Sequence, residues 1–220
     1  SRAEEWHPDP TFLFTRGGGP LLDLGPYYVA NLVNCLGPVE FVAGATRIGA
    51  NPRKVSAPGR LVDEIPVEVP THAVAVARLA SGVIGTITAS FDLWSEHLPY
   101  LEVYGTEGIL RLPDPDKFDG TVLVKPNAAD EWQAVAPVIR LVDWSAPDDR
   151  LRGLGVADLI DSLAGRPQRT SATFAYHVLE VLESIEVSSR DQRAIRLASR
   201  PNRPEPVAPG DLDGKAAAAP

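Results

Sequence analysis

Asp23 and Tyr27 are four positions apart in a stretch with helical periodicity. At that spacing both side chains lie on one face of a helix. A carboxylate and a phenol held together can orient a substrate oxygen and manage its proton. The same residues also fit a structural role, with the aspartate near a helix start and the tyrosine ring packed on its neighbours. The spacing alone does not decide between these interpretations.

A run of three glycines, Gly17-Gly18-Gly19, comes just before this stretch. Glycines ahead of a helix can cradle a phosphate on backbone N–H groups. The dinucleotide fingerprint, however, requires G-x-G-x-x-G after a strand, and Leu22 occupies the third glycine position. We therefore favour the alternative that the glycines permit a close backbone approach or a positive φ.

The four histidines are His7, His72, His97 and His177. None of them forms the H-x-x-x-H or H-E-x-x-H spacing of a zinc site, and we expect no metal. His72 falls in a predicted strand, and His177 lies at the edge of an apolar helical stripe, as a core or interface histidine would. His7 follows Trp6, and His97 also comes shortly after a tryptophan. Both lie in predicted loops, where binding groups concentrate, so Trp6, His7 and His97 are candidate substrate-binding residues.

Two arginines complete the candidate set. Arg152 opens the penultimate helix, where a cation opposes the helix dipole, so it is either an exposed first-turn residue or an anchor for substrate or cofactor. Arg16 directly precedes the glycine run and is also a candidate for substrate binding. Nucleophilic catalysis has no local signature, since G-x-S-x-G is absent and Cys35, the single cysteine, falls on a helical stripe.

The elements that must position these residues alternate between helical and extended patterns. Residues 20–36 predict a helix, with Pro26 either as a kink or as the first helical residue after an irregular entry. Short turns between the following strands favour antiparallel pairing. The predicted strands are Val39–Ile48, Val67–Leu79, Val83–Phe91, Tyr100–Tyr104, Gly108–Leu112, Val122–Lys125 and Trp132–Val135. Two closing helices, Leu151–Ala164 and Thr173–Arg190, complete an α+β pattern with helices packed on one face of a sheet.

Composition limits the class of protein. The 220 residues are 44% hydrophobic and 23% charged, which is ordinary for a globular chain and excludes a disordered or fibrous one. The net charge of −8 argues against a nucleic-acid partner. The absence of a long apolar run argues against a membrane span, and the single cysteine favours a cytoplasmic location. Residues 1–200 are expected to form one domain and residues 201–220 a tail rich in proline and alanine. A chain without methionine that starts at Ser1 is expected to be a processed form or part of a longer protein.

Four motifs in order resemble the glucose-fructose oxidoreductase/inositol dehydrogenase (Gfo/Idh/MocA) family. They are GGGPLLDLGPYYVANLVNCLGPV, YLEVYGTEGILRLPDP, RGLGVADLIDSLAGRPQR and AYHVLEVLESIEVSSRDQRAIRL. The resemblance covers nearly the whole chain and implies the family's C-terminal substrate domain. The implied fold is a large open, mainly antiparallel sheet with helices on one face, whose other face makes the oligomer contact. The family's N-terminal dinucleotide domain, with its Glu-Lys-Pro lysine, would be absent from this chain, where the only Lys-Pro is Lys125-Pro126.

The same resemblance implies roles for Asp23 and Tyr27. Asp23 matches the family's substrate-side aspartate, and Tyr27 stands where many members have a catalytic histidine. The implied function is the substrate domain of an NAD(P)-dependent oxidoreductase acting on a hydroxyl or carbonyl of a sugar-like compound. The cofactor, NAD or NADP, would be bound mainly by the missing domain, so this chain alone is expected to be inactive. Two alternatives stay open: a non-catalytic binding or oligomerisation module with this fold, and a metal-dependent hydrolase using His7, His97 and Asp23.

Overall fold

The computed structural model describes residues 2–93, 98–117, 120–136, 154–166 and 168–206. The chain divides into two compact units, the first made of Ser1–His97 with Thr173–Arg203 and the second of Leu98–Ala172 with Pro204–Pro220. A 3-10 turn at Ala3–Glu5 comes first. The helices, numbered in chain order, are α1 (Thr11–Phe14), α2 (Pro20–Asp23), α3 (Gly25–Leu36), α4 (Leu154–Leu163) and α5 (Ala172–Asp191). The strands are β1 (Val39–Arg47), β2 (Arg53–Lys54), β3 (Glu64–Ile65), β4 (His72–Leu79), β5 (Ile84–Ser90), β6 (Leu101–Tyr104), β7 (Gly108–Leu112), β8 (Val122–Pro126), β9 (Gln133–Val135) and β10 (Ile195–Arg196).

The first unit is built on an antiparallel sheet with strand order β10-β1-β4-β5. The inward face of β4 consists largely of small residues, since Ala73, Ala75 and Ala77 are each at most 2% exposed. Gly44 is the β1 partner of Ala75, and a Cβ there would lie 2.8 Å from Cγ2 of Ile185 in α5. Small side chains on this face therefore allow α5 to pack close to the sheet.

The apolar stripe predicted for the last helix is confirmed. Its members are all at most 7% exposed: Phe174, Val178, Val181, Leu182 and Ile185. The C-terminal part of α5 also completes the edge of the sheet beyond the short β10. There the hydroxyls of Ser188 and Ser189 accept hydrogen bonds from the N–H groups of Gly44 and Thr46, at 2.9 and 2.8 Å.

A second core of the first unit surrounds a buried ion cluster. Arg53, 7% exposed, donates to Oε1 of Glu4 at 2.7 Å and to Oδ1 of Asp92 at 2.6 Å. Its guanidinium also lies 5.1 Å from the ring centroid of Phe14. Because each buried charge has an ionic partner, the cluster joins the N-terminal segment, β2 and the end of β5 into one structure.

The second unit contains a four-stranded antiparallel meander in the order β6-β7-β8-β9. Glu102 and Arg111 are cross-strand partners and form an ion pair at 2.6 Å. The guanidinium of Arg111 also stacks on the ring of Trp132, 4.2 Å from its centroid. In α4, Asp158 accepts from the backbone and the side chain of Arg169, which ties the helix to the segment that follows it.

The α+β class and the antiparallel pairing are confirmed. The described strands are divided between two four-stranded sheets and one two-stranded sheet, where the sequence predicted one large sheet. The single strand predicted over residues 67–79 is wrong for its first five residues, because β4 begins at His72. The N–H groups of Val67 and Glu68 instead donate to Asn51 and Phe14, outside the sheet.

The helix predicted over residues 20–36 is interrupted at Leu24. Pro26 lies in the first turn of α3, as one of the two alternatives requires, but residues 20–23 form a helical turn of their own. Of the predicted tail, residues 201–206 have no helix or strand, and residues 207–220 lie outside the described ranges. No helix in the described part of the chain is long and apolar enough to cross a membrane.

Candidate active site

Asp23 and Tyr27 lie on either side of the junction between α2 and α3. Asp23 is the last residue of α2, and its N–H donates to the carbonyl of Gly19 at 3.0 Å. The junction residue Leu24 keeps helical dihedrals, φ −99° and ψ −29°, so the path from Asp23 to Tyr27 stays close to one helical turn. Both residues are exposed, Tyr27 by 44%. The structure thus leaves both polar side chains accessible at neighbouring positions.

The local sequence and its contacts explain why the helix is interrupted at this point. Pro20 starts α2 directly after Gly19, whose φ of +89° is one that residues with a Cβ rarely adopt. At the junction, Gly25 is buried, and a Cβ there would lie 2.6 Å from Cδ2 of Leu182. The start of α3 therefore packs against α5 without room for a Cβ unless Leu182 shifts, and this close contact lies between Asp23 and Tyr27.

The glycine run serves the backbone, in agreement with the interpretation that the sequence favoured. A Cβ at Gly18 would lie 2.6 Å from the carbonyl oxygen of Leu13, and one at Gly19 would lie 3.2 Å from that of Pro70. Protein atoms fill the space beside both glycines, and α2 is only four residues long. These residues therefore do not fit the diphosphate of a dinucleotide, which needs an open glycine-lined turn at the start of a longer helix.

Trp6, His7 and Phe12 form a cluster of aromatic rings on the same unit. The imidazole of His7 makes edge-to-face contacts with Trp6 and Phe12, with centroid separations of 5.5 and 5.3 Å. Trp6 is 58% exposed and Phe12 59% exposed. Trp6 and His7 are candidates from the sequence, whereas Phe12 is not among the predicted residues. Phe12 comes only five residues after His7, which could have marked it as a neighbour. The contact between the two rings, however, depends on the fold of α1.

The remaining candidates are not brought together by the described structure. Arg16 is exposed beside the glycine run. His97 and Arg152 lie outside the described residues, so their predicted roles stay predictions. The described residues contain no group of three or more His, Cys, Asp or Glu side chains that could hold a metal ion. Cys35 is half-buried in α3, and this burial raises the pKa of its thiol.

His177 is the core histidine that its position on the helical stripe indicated, with no exposed surface. Its Nε2 accepts a hydrogen bond from the N–H of Val39 at 3.0 Å, so the ring proton must be on Nδ1, which donates to Ser199 at 2.6 Å. The hydroxyl of Ser199 in turn donates to Glu180. Burial lowers the pKa of His177 and keeps the imidazole neutral. Both ring nitrogens of His177 and the hydroxyl of Ser199 are hydrogen-bonded in this series. His177, Ser199 and Glu180 therefore join α5, β1 and the C-terminal segment and have a structural role.

Sequence comparison agrees with this architecture. The sequence model of the GFO/IDH/MocA C-terminal domain matches residues 1–111, just over half of the chain. The chain belongs to the Gfo/Idh/MocA family. The match contains the glycine run, Asp23, Tyr27 and the sheet of the first unit except β10. Among curated proteins no sequence matches the chain.

Solved structures share the Gfo/Idh/MocA fold with this chain. An NAD-binding oxidoreductase from Klebsiella pneumoniae has a TM-score of 0.67 at 19% identity, covering 89% of this chain and 57% of its own. Levoglucosan dehydrogenase in complex with NADH has a TM-score of 0.68 at 17% identity, with coverage of 89% and 56%. An oxidoreductase domain protein from Kribbella flavida has a TM-score of 0.66 at 19% identity, with coverage of 89% of this chain and 57% of its own. At these identities the likeness establishes the fold, and the chain spans a little over half the length of these structures.

Proposed function

We propose that this chain is the substrate domain of an NAD(P)-dependent oxidoreductase that acts on a hydroxyl or carbonyl group of a sugar-like compound. The observation that carries the proposal is the exposed Asp23–Tyr27 pair at a helix junction whose geometry is fixed by the buried Gly25. Membership of an oxidoreductase family supports the reaction class. Because the glycine run does not fit a dinucleotide, the cofactor would be held by a further domain of a longer protein.

Within such an enzyme, this chain would bind and orient the reacting group. The Asp23 carboxylate would accept a hydrogen bond from the substrate hydroxyl and so fix its orientation. The Tyr27 phenol, one helical turn away, would hold the same oxygen or pass its proton to a base outside this chain. Both side chains are exposed in the described part of the first unit, which supports their accessibility to a substrate.

The experiment measures steady-state turnover of a panel of sugars and polyols by the full-length protein. We expect Asp23→Asn to lower kcat/KM by about a hundredfold or more, and Tyr27→Phe to lower it by less. Tyr27→His should retain activity or raise it, because histidine titrates nearer to neutral pH than tyrosine. The matched controls are Asp63→Asn, an exposed aspartate 84% accessible, and Tyr176→Phe, an exposed tyrosine on α5.

The principal alternative is a binding or oligomerisation module that keeps the fold without catalysis, because a fold does not by itself imply an activity. The alternative is supported if Asp23→Asn folds normally and turns over as fast as the unmodified protein. It is also supported if the full-length sequence lacks a G-x-G-x-x-G strand-turn-helix and a Glu-Lys-Pro motif. The metal-dependent hydrolase would require a stoichiometric metal in the purified protein, which elemental analysis would detect.

We also propose a homo-oligomer formed through the outer face of the first sheet. In the two middle rows of this face the outward side chains are small or β-branched and uncharged: Ala43, Ala45, Val74, Val76, Thr86 and Thr88. The rows at either end carry the charged side chains of Arg78 and Arg47. Val74 and Val76 are 41% and 44% exposed, and apolar faces of this kind commonly mark contacts. Sedimentation should show an oligomer that Val76→Glu dissociates, whereas a monomer at tens of micromolar would contradict this proposal.

A further inference from the structure

Three rings at the start of the first unit form a surface that the proposed chemistry of Asp23 and Tyr27 does not use. We define the aromatic patch as Trp6, His7 and Phe12. The two outer rings stand at 78° and 70° to the central imidazole and contact it edge to face. Each outer ring is more than half exposed. Large rings held in fixed positions but left in contact with water are typical of a binding surface.

The rings of the patch carry two N–H donors, the indole of Trp6 and the imidazole of His7. Nδ1 of His7 accepts a hydrogen bond from the N–H of Asp9 at 3.1 Å, which requires the lone pair at Nδ1. The neutral ring therefore carries its proton on Nε2. Among the residues that the structure describes, nothing accepts a hydrogen bond from this N–H. The patch thus offers apolar ring surface beside the N–H donors of His7 and Trp6.

The charge beside the patch selects among possible ligands. The carboxylate of Asp9 accepts hydrogen bonds from the N–H and the hydroxyl of Thr11, at 3.1 and 2.5 Å. These bonds lower the pKa of Asp9 and keep it ionised. A negative charge next to the donor disfavours sugar acids and sugar phosphates. A neutral ligand with an apolar face and hydroxyl groups at its edge fits all three features.

The patch is connected to the Asp23–Tyr27 pair through the backbone. Leu13, next to Phe12, accepts a hydrogen bond from the N–H of Gly19 at 2.7 Å. From Gly19 to Asp23 the chain makes one helical turn, a rise of about 5.4 Å. Two backbone hydrogen bonds therefore lead from the patch to Asp23, through the buried residues Leu13 and Gly19.

We propose that Trp6, His7 and Phe12 form a stacking subsite for a neutral pyranose ring. The axial C–H groups of the sugar would lie against the Trp6 and Phe12 rings, and Nε2–H of His7 would donate to one of its hydroxyls. The idea that this sugar belongs to the substrate rests on the proposed function. The binding itself does not, because it needs only residues of this chain.

The test uses the 220-residue chain and methyl β-D-glucopyranoside as the probe, with binding followed by saturation-transfer NMR. We expect Trp6→Ala and Phe12→Ala each to weaken binding by about three- to tenfold, in line with the loss of one aromatic contact. His7→Phe should keep the stacking but also weaken binding, because the donor is lost. Tyr176→Ala, which removes an equally exposed ring from α5, should bind the probe like the unmodified chain. The corresponding methyl glucuronide should bind more weakly than the glucoside.

The outcomes separate the subsite from the proposed function. The subsite is overturned if the folded chain does not bind the glucoside, or if Trp6→Ala and Phe12→Ala bind it unchanged. It is also overturned if the glucuronide binds as tightly as the glucoside. If Trp6→Ala and Phe12→Ala weaken glucoside binding while Asp23→Asn turns over normally in the full-length protein, the subsite stands and the catalytic assignment fails. If Asp23→Asn loses turnover and the ring variants bind the glucoside unchanged, the catalytic assignment stands and the subsite fails.

Discussion

Replacing Gly25 with alanine tests how the candidate site is positioned. The added methyl group would lie 2.6 Å from Cδ2 and 3.4 Å from Cδ1 of Leu182. Leu182 is 1% exposed in the middle of α5, so it cannot move its side chain into water. Either the Leu182 side chain leaves its rotamer, or α3 moves away from α5 and the backbone between Asp23 and Tyr27 moves with it.

The expected loss of stability follows from these contacts. Adding a methyl group to a well-packed core destabilises by about 1–3 kcal/mol. Alanine is favoured over glycine by at most about 1 kcal/mol in a helix interior, and by less at the first residue of α3. We therefore expect Gly25→Ala to lower the free energy of unfolding by about 1–2 kcal/mol, or the thermal midpoint by roughly 2–8 °C for a chain of this size.

Urea unfolding followed by circular dichroism measures this change. The matched control is Gly155→Ala in α4, where no atom of the described residues lies within 4 Å of the new Cβ and stability should be unchanged or slightly raised. A double-mutant cycle with Leu182→Ala isolates the contact. The methyl group that Gly25→Ala adds would occupy part of the cavity that Leu182→Ala creates, so the double variant should lose less free energy of unfolding than the two single variants lose together. Equal effects of Gly25→Ala and Gly155→Ala, or strict additivity with Leu182→Ala, would refute this packing argument.

Two further predictions concern buried charge. Arg53→Met removes the cation that Glu4 and Asp92 share, leaves Glu4 with the longer Arg2 contact, and should lower the free energy of unfolding by about 3–5 kcal/mol, whereas Arg60→Met, at an exposed ion pair, should change it by less than about 1 kcal/mol in the same urea titration. Because the pKa of His177 is lowered in the folded state, the unfolded chain binds the proton more tightly, and stability should fall as the pH drops below about 6.5. His177→Gln should lose less stability over that interval, and parallel thermal-midpoint profiles for the two proteins would contradict the assignment.

Local patterns account for much of the fold. The extended pattern of β4 and the apolar stripe of α5 are properties of neighbouring positions, and both elements lie within or close to the ranges that the sequence predicts. The helix junction was foreseen only as one of two alternatives. Pro26 indicates that the backbone changes near this point, but the location of the break depends on the contact between Gly25 and Leu182, which are far apart in the sequence.

The sequence by itself determined the α+β class, the antiparallel pairing and the four-residue spacing that places Asp23 and Tyr27 within one helical turn. These properties depend on the periodicity of helices and strands, which acts over a few residues. The tertiary structure decided which residues from distant segments meet: Arg53 with Glu4 and Asp92, and the ring of Phe12 with that of His7. No local pattern marks such partners, because buried charges and exposed rings acquire their neighbours only when the chain between them has folded.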